Sequence, residues 1–139
     1  MTEPKKTDRS PIPVLVAALI CDAAALDRTT GKKTLVGIFD RLYVRAFPTL
    51  HPMALYLKLA DAEGNYKFQV KMVHRDTEEV LATVNAEITV KDRLLSNDFY
   101  MDADSLPFPR PGRYEFQVWA NDIYLGAVFI DAVLAPTQG

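Results

Sequence analysis

From Val80 to Val90 the chain alternates with a period of two: Val80, Ala82, Val84, Ala86, Ile88 and Val90 against Leu81, Thr83, Asn85, Glu87, Thr89 and Lys91. That period puts one set of side chains on each side of an extended backbone, so the stretch reads as a β-strand with one buried face. The same chemistry recurs in Gly64-Asn65-Tyr66-Lys67-Phe68-Gln69-Val70 and in Gly112-Arg113-Tyr114-Glu115-Phe116-Gln117-Val118. Each is a strand starting at a glycine turn; two copies do not make a repeat array, and duplication of a half-sandwich is the sharper alternative.

Two hairpins have registers that can be tested by matching apolar residues across the pair. A four-residue turn containing Gly64, flanked by Asp61 and Tyr66, sets Leu59 opposite Phe68, Leu57 opposite Val70 and Leu55 opposite Met72. Tyr56, Lys58, Gln69 and Lys71 then point the other way. A two-residue Asn121-Asp122 turn pairs Ala120 with Ile123, Val118 with Leu125, Phe116 with Ala127 and Tyr114 with Phe129. On the outward face of this last hairpin Trp119 falls opposite Tyr124, with Val128 and Ile130 nearby.

Val14 to Cys21 has the β-branched content of a buried strand. Asp27 to Lys32 is a turn with Gly31 free to take positive φ, and Leu35 to Phe39 completes a hairpin. Pro48 and Pro52 mark a crossing connection, a short strand is expected over Asp98 to Met101, and Pro107, Pro109 and Pro111 mark a stiff connection into the final hairpin. The sum is an all-β fold: an antiparallel two-sheet sandwich of about eight strands, immunoglobulin-like or C2-like. Gly112, Tyr114 and Phe116 resemble the tyrosine-corner segment of immunoglobulin-like sandwiches. One domain is expected over residues 12–135, between a disordered tail at 1–11 that packs against nothing and a short tail at 136–139.

Charge narrows the partners. With 16 Lys and Arg against 18 Asp and Glu, the net charge of -2 gives no field that favours nucleic acid. Cys21 is the single cysteine, which excludes an internal disulfide and points to a reducing, cytoplasmic setting. The apolar run from Ile12 to Cys21 is broken by Pro13, meets Asp22 at once, and is far short of the roughly 20 residues that a membrane span needs.

Ala18-Leu19-Ile20-Cys21-Asp22, Thr30-Gly31-Lys32, Leu35-Val36-Gly37-Ile38-Phe39-Asp40 and Pro107-Phe108-Pro109 ahead of Gly112-Arg113-Tyr114-Glu115-Phe116 together resemble a bacterial family of small proteins classed as a domain of unknown function. The resemblance covers most of residues 17 to 130. It implies a β-sandwich and carries over no activity, cofactor or site residue.

Candidate chemistry is sparse. Gly31-Lys32-Lys33-Thr34 lacks the glycine that a phosphate-binding loop requires five residues earlier, where Leu26 stands. Cys21 would need His51 or His74 beside it to act as a nucleophile, and one Cys with two separated His residues shows no zinc spacing. Asp98, Asp102 and Asp104 crowd the approach to the proline-rich connection and are candidate calcium ligands, although Asp is also an ordinary turn residue. Trp119, Tyr124 and Val128 form a candidate partner surface, because Trp and Tyr are enriched at binding hot spots. The expected function is therefore a non-enzymatic binding or assembly module meeting a protein partner or a second copy of itself, without a cofactor. The alternatives are a calcium-dependent C2-like module and a small-ligand or enzyme site around Cys21, Asp22 and Asp40.

Overall fold

A computed structural model describes residues 10–136 as two stacked β-sheets built from nine strands. In chain order these are β1 (Val14–Leu26), β2 (Lys33–Ile38), β3 (Arg41–Val44), β4 (Thr49–Ala60), β5 (Gly64–His74), β6 (Glu79–Val90), β7 (Asn97–Phe108), β8 (Gly112–Ala120) and β9 (Ile123–Leu134). One sheet has the order β2-β1-β4-β7 and the other β3-β9-β8-β5-β6. All neighbours are antiparallel except β3 and β9, which run parallel. The ninth strand is β3, whose four residues follow a connection from one sheet to the other.

The inward residues of the two sheets meet in one core that includes Leu57, Leu59, Phe68, Val70, Met72, Phe108, Tyr114, Phe116, Val118 and Ile130. Each such side chain contributes about 1.5–3 kcal/mol relative to exposure. Packing leaves a cavity of about 20 Å³, lined only by apolar side chains, Met53, Met72 and Met101 among them. That is room for about one water.

Two expected registers are corrected. Leu55, Leu57 and Leu59 do not pair with Met72, Val70 and Phe68 in a ladder, since β4 and β5 belong to different sheets. The turn at Asp61 and Gly64, both with positive φ, is an arch that carries the chain from one sheet to the other. The leucines and their supposed partners line the same core from opposite sides, so apolar matching held while hydrogen bonding did not. In the last hairpin Ala120 does pair with Ile123 and Trp119 with Tyr124, but a bulge follows. Val118 pairs with Gly126, Phe116 with Val128 and Tyr114 with Ile130. The extra residue inverts the rest of β9: Ile130 is fully buried and Val128 packs against the core, while Phe129 points outward. Gly126 serves the close approach of the sheets, for a Cβ there would sit 3.1 Å from Leu15 Cδ2.

The proline readings also shift. Pro52 lies inside β4 at a register irregularity between His51 and Met53, and Pro107 lies inside the edge strand β7, both places where a missing N–H is tolerated. Only residues 109–111 connect β7 to β8. At the other end, Pro11 is not loose: its carbonyl accepts a hydrogen bond of 2.7 Å from Tyr66 Oη. Residues 1–9 of the expected tail, and 137–139 at the other terminus, lie outside the described residues.

Tyr66 and Tyr114 play matching parts. Tyr66 Oη accepts the Glu63 N–H at 3.0 Å and Tyr114 Oη accepts the Arg110 N–H at 3.2 Å, while each hydroxyl donates to a backbone carbonyl. The similarity of the two Gly-x-Tyr-x-Phe-x-Val segments thus has a structural use, fastening the start of each strand to the loop before it.

The β1–β2 hairpin does something the strand patterns did not disclose. Ala17, Lys58 and Asp98 share one level across β1, β4 and β7, and Lys33 pairs with Leu26, nine residues further along β1. A straight β1 would separate these levels by roughly 30 Å. Lys33 Nζ nevertheless sits 2.6 Å from Asp98 Oδ1, so the hairpin doubles back over the outer face of the four-stranded sheet as an arm. Ala24, Lys33 and Leu35 on its lower side are half-buried, whereas Ala23, Ala25 and Val36 are exposed. The bend falls at Asp22 and Gly37, where Gly37 has φ 68° and an added Cβ would come within 2.3 Å of Asp22 Oδ2.

Candidate functional site

The outer face of the five-stranded sheet is assembled mainly by β8 and β9, with β5 and β3 at its flanks. Alternation along β8 turns Arg113, Glu115, Gln117 and Trp119 outward, opposite the buried Tyr114, Phe116 and Val118. Tyr124, Phe129 and Asp131 come from β9, Lys71 from β5 and Tyr43 from β3. Tyr43, Tyr124 and Phe129 are 58, 51 and 42 % exposed, Trp119 is half-buried, and the other sheet lies on the opposite side.

These side chains hold one another in place. The Trp119 and Tyr124 rings meet edge to face with centroids 5.3 Å apart, and Lys71 Nζ lies 4.6 Å above the indole. Trp119 Nε1 donates to Gln117 Oε1 at 3.4 Å, and Gln117 Nε2 donates to Glu115 Oε1 at 2.8 Å. Glu115 also accepts from Arg75 at 3.3 Å. At the other end Arg113 forks onto Asp131 with bonds of 2.8 and 3.1 Å and lies 4.1 Å over the Phe129 ring. The guanidinium holds the Asp131 carboxyl below its usual range, and Asp131 in turn raises Arg113. Such a face can bury aromatic area with little loss of side-chain freedom.

Of the three residues predicted for this surface, Trp119 and Tyr124 are together on it and Val128 is not: the bulge turns Val128 toward the core, and Phe129 occupies the outward place. Tyr43 and Arg113 were missed because β3 was hidden in a presumed connection and because pairing across β8 and β9 depends on the bulge.

The other candidate residues are distributed over both sheets. Cys21 is fully buried at the root of the arm, and its Sγ contacts the carbonyls of Ala23 at 3.3 Å and Ala54 at 3.7 Å. Burial pushes the thiol up, which is opposite to activation. His51 stacks edge-on against Phe39 with centroids 6.5 Å apart. His74 is buried against Tyr114, with Nε2 3.3 Å from the Pro111 carbonyl and Nδ1 3.4 Å from Thr77 Oγ1. Neither imidazole reaches Cys21. Asp40 lies between β2 and β3, where its carbonyl accepts the Asp131 N–H at 2.9 Å.

Asp98, Asp102 and Asp104 are on β7 itself and not on a loop. Asp98 is engaged by Lys33 and by the Tyr56 hydroxyl, each at 2.6 Å. Burial works against its carboxylate, but these two hydrogen bonds prevail and hold its pKa below the usual value. Tyr56, half-buried and beside that charge, is pushed up to about 12. Among the described residues no group of three or more His, Cys, Asp or Glu is placed to hold a metal ion, and no helix is long and apolar enough to cross a membrane.

Fold and face together define a nine-stranded β-sandwich with an ordered aromatic surface on one sheet. The chain belongs to a family described as "Family of unknown function (DUF6941)", which matches residues 16–131. No curated protein matches it. Among solved structures it is similar to a glycosyl hydrolase family 2 (GH2) member from Bacteroides cellulosilyticus DSM 14838, at 12 % identity and a TM-score of 0.47, over 60 % of this chain and 12 % of that one.

Proposed function

We propose that the protein is a non-enzymatic contact module that binds another protein through the outer face of its five-stranded sheet. One observation carries the reading: the interlocked Trp119–Tyr124 pair lies on a face that the second sheet leaves uncovered. Aromatic and Arg side chains already fixed by neighbours are the usual anchors of protein interfaces. Alternating Arg and acidic groups at the Arg113 end would form a polar rim. A reducing compartment such as the cytoplasm suits a chain whose one thiol is buried and unpaired.

The test is a photoreactive amino acid placed at Tyr124 and, as a control on the opposite sheet, at Val36, with irradiation in the native cell. The reading expects a discrete protein adduct from position 124 that is missing from position 36. No adduct at 124, or the same adducts from both, would contradict it.

A further inference from the structure

The four sheet edges are unequally guarded. The β2 edge is six residues long and folded back in the arm, and β3 has four residues. The β7 edge carries Pro107 and Asp98, Asp102 and Asp104. Short strands, prolines and charges are the ordinary means of keeping an edge from pairing with another chain. On β6 the one irregularity, at Leu81, comes near its start. From Ala82 to Val90 the strand pairs regularly with β5, contains no proline or glycine, and has Glu87 as its single charge. Among the described residues nothing pairs with its outer side.

The sequence of this edge is complementary to itself. We propose that β6 is a homodimerisation edge, pairing antiparallel with β6 of a second copy about a two-fold axis through Ala86. In that register Asn85 faces Glu87 of the partner subunit, Thr83 faces Thr89, Val84 faces Ile88 and Ala82 faces Val90, so every polar residue meets a polar one and every apolar residue an apolar one. Neighbouring registers are worse. Centring on Glu87 sets two carboxylates against each other, and centring on Asn85 sets Leu81, at the irregularity, against Thr89. Side chains directly opposite in an antiparallel pair point to the same face. The five-stranded sheets therefore join into one of ten strands, and the half-buried rim residues Ala82, Val84, Ala86 and Ile88 are covered. The β6 edge is separate from the Trp119 face, and its pairing does not depend on that face.

Two substitutions at exposed Asn85 read the register, because each acts twice across the axis. Sedimentation equilibrium of the full chain should show a reversible dimer. Asn85→Lys, opposite Glu87 of the partner subunit, should tighten it, and Asn85→Glu should weaken it, each by roughly 2- to 30-fold in Kd. Amide exchange in β6 should slow as concentration rises through the dimerisation range. A chain that stays monomeric in all three forms overturns the proposal, as does a dimer indifferent to both substitutions. Protection of β6 that is already complete in the dilute monomer overturns it too, by assigning the edge to the chain's own residues 1–9.

Discussion

Lys33 Nζ and Asp98 Oδ1 are 2.6 Å apart although their strands, β2 and β7, lie at opposite edges of the four-stranded sheet. The contact clamps the β1–β2 arm down on the outer face of that sheet, with the Tyr56 hydroxyl completing the cluster 2.6 Å from Asp98 Oδ2.

Acid should loosen the clamp. Because the folded-state pKa of Asp98 is lowered, its contribution is fully present above the unfolded value near 4 and is lost as pH falls through the folded value. With the Asp98 side chain 33 % exposed, that contribution is at most about 1 kcal/mol. Asp98→Asn should lower stability by this amount at neutral pH and flatten the acid limb of a denaturant-monitored pH profile. An unchanged limb would mean that the clamp adds nothing.

Alkaline titration gives a second reading of the cluster. One phenol should ionise near pH 12, about two units above an ordinary tyrosine, because Tyr56 is half-buried and faces a carboxylate. Ultraviolet difference spectra should lose that step in Tyr56→Phe, and in Asp98→Asn the step should move down.

The arm also shields Cys21. A thiol reagent should react slowly with the native protein, and Lys33→Met should speed the reaction roughly fivefold, the factor that corresponds to about 1 kcal/mol of local opening. Equal rates in the two proteins would show that Cys21 is reached by another route.

Tyr114 is a structural residue on this account. Its hydroxyl bonds to both backbone groups of Arg110 while its ring is fully buried between His74 and Phe108. Tyr114→Phe removes only the hydroxyl and should cost about 1–3 kcal/mol in chemical denaturation, leaving the sheet signal intact. A loss inside experimental error would remove the corner from the account.

Side-chain alternation made most of the strands legible, because a period of two survives in the sequence whatever the strand pairs with. What alternation cannot encode is the identity of the neighbour. Leu57 and Val70 were expected to pair along a ladder, yet they belong to different sheets and share only the core between them, since the arch at Asp61 and Gly64 resembles a hairpin turn in composition. The bulge after Tyr124 had no signal except Gly126, and it alone turned Val128 inward and Phe129 outward. The fold-back of the arm is a long-range contact between Lys33 and Asp98, 65 positions apart, and nothing local announces it. Trp119 and Tyr124 were legible as a pair because they lie beside the turn, where register has had no distance over which to slip.

The central claim is that the Trp119–Tyr124 face is the working surface. Its most direct test is the affinity of the protein captured through position 124 for wild type against a Tyr124→Ser, Phe129→Ser variant, both residues being exposed enough to replace with little effect on folding. The account predicts at least a tenfold loss of affinity, about 1.4 kcal/mol, with an unchanged unfolding midpoint. Undiminished binding by a folded variant would contradict it.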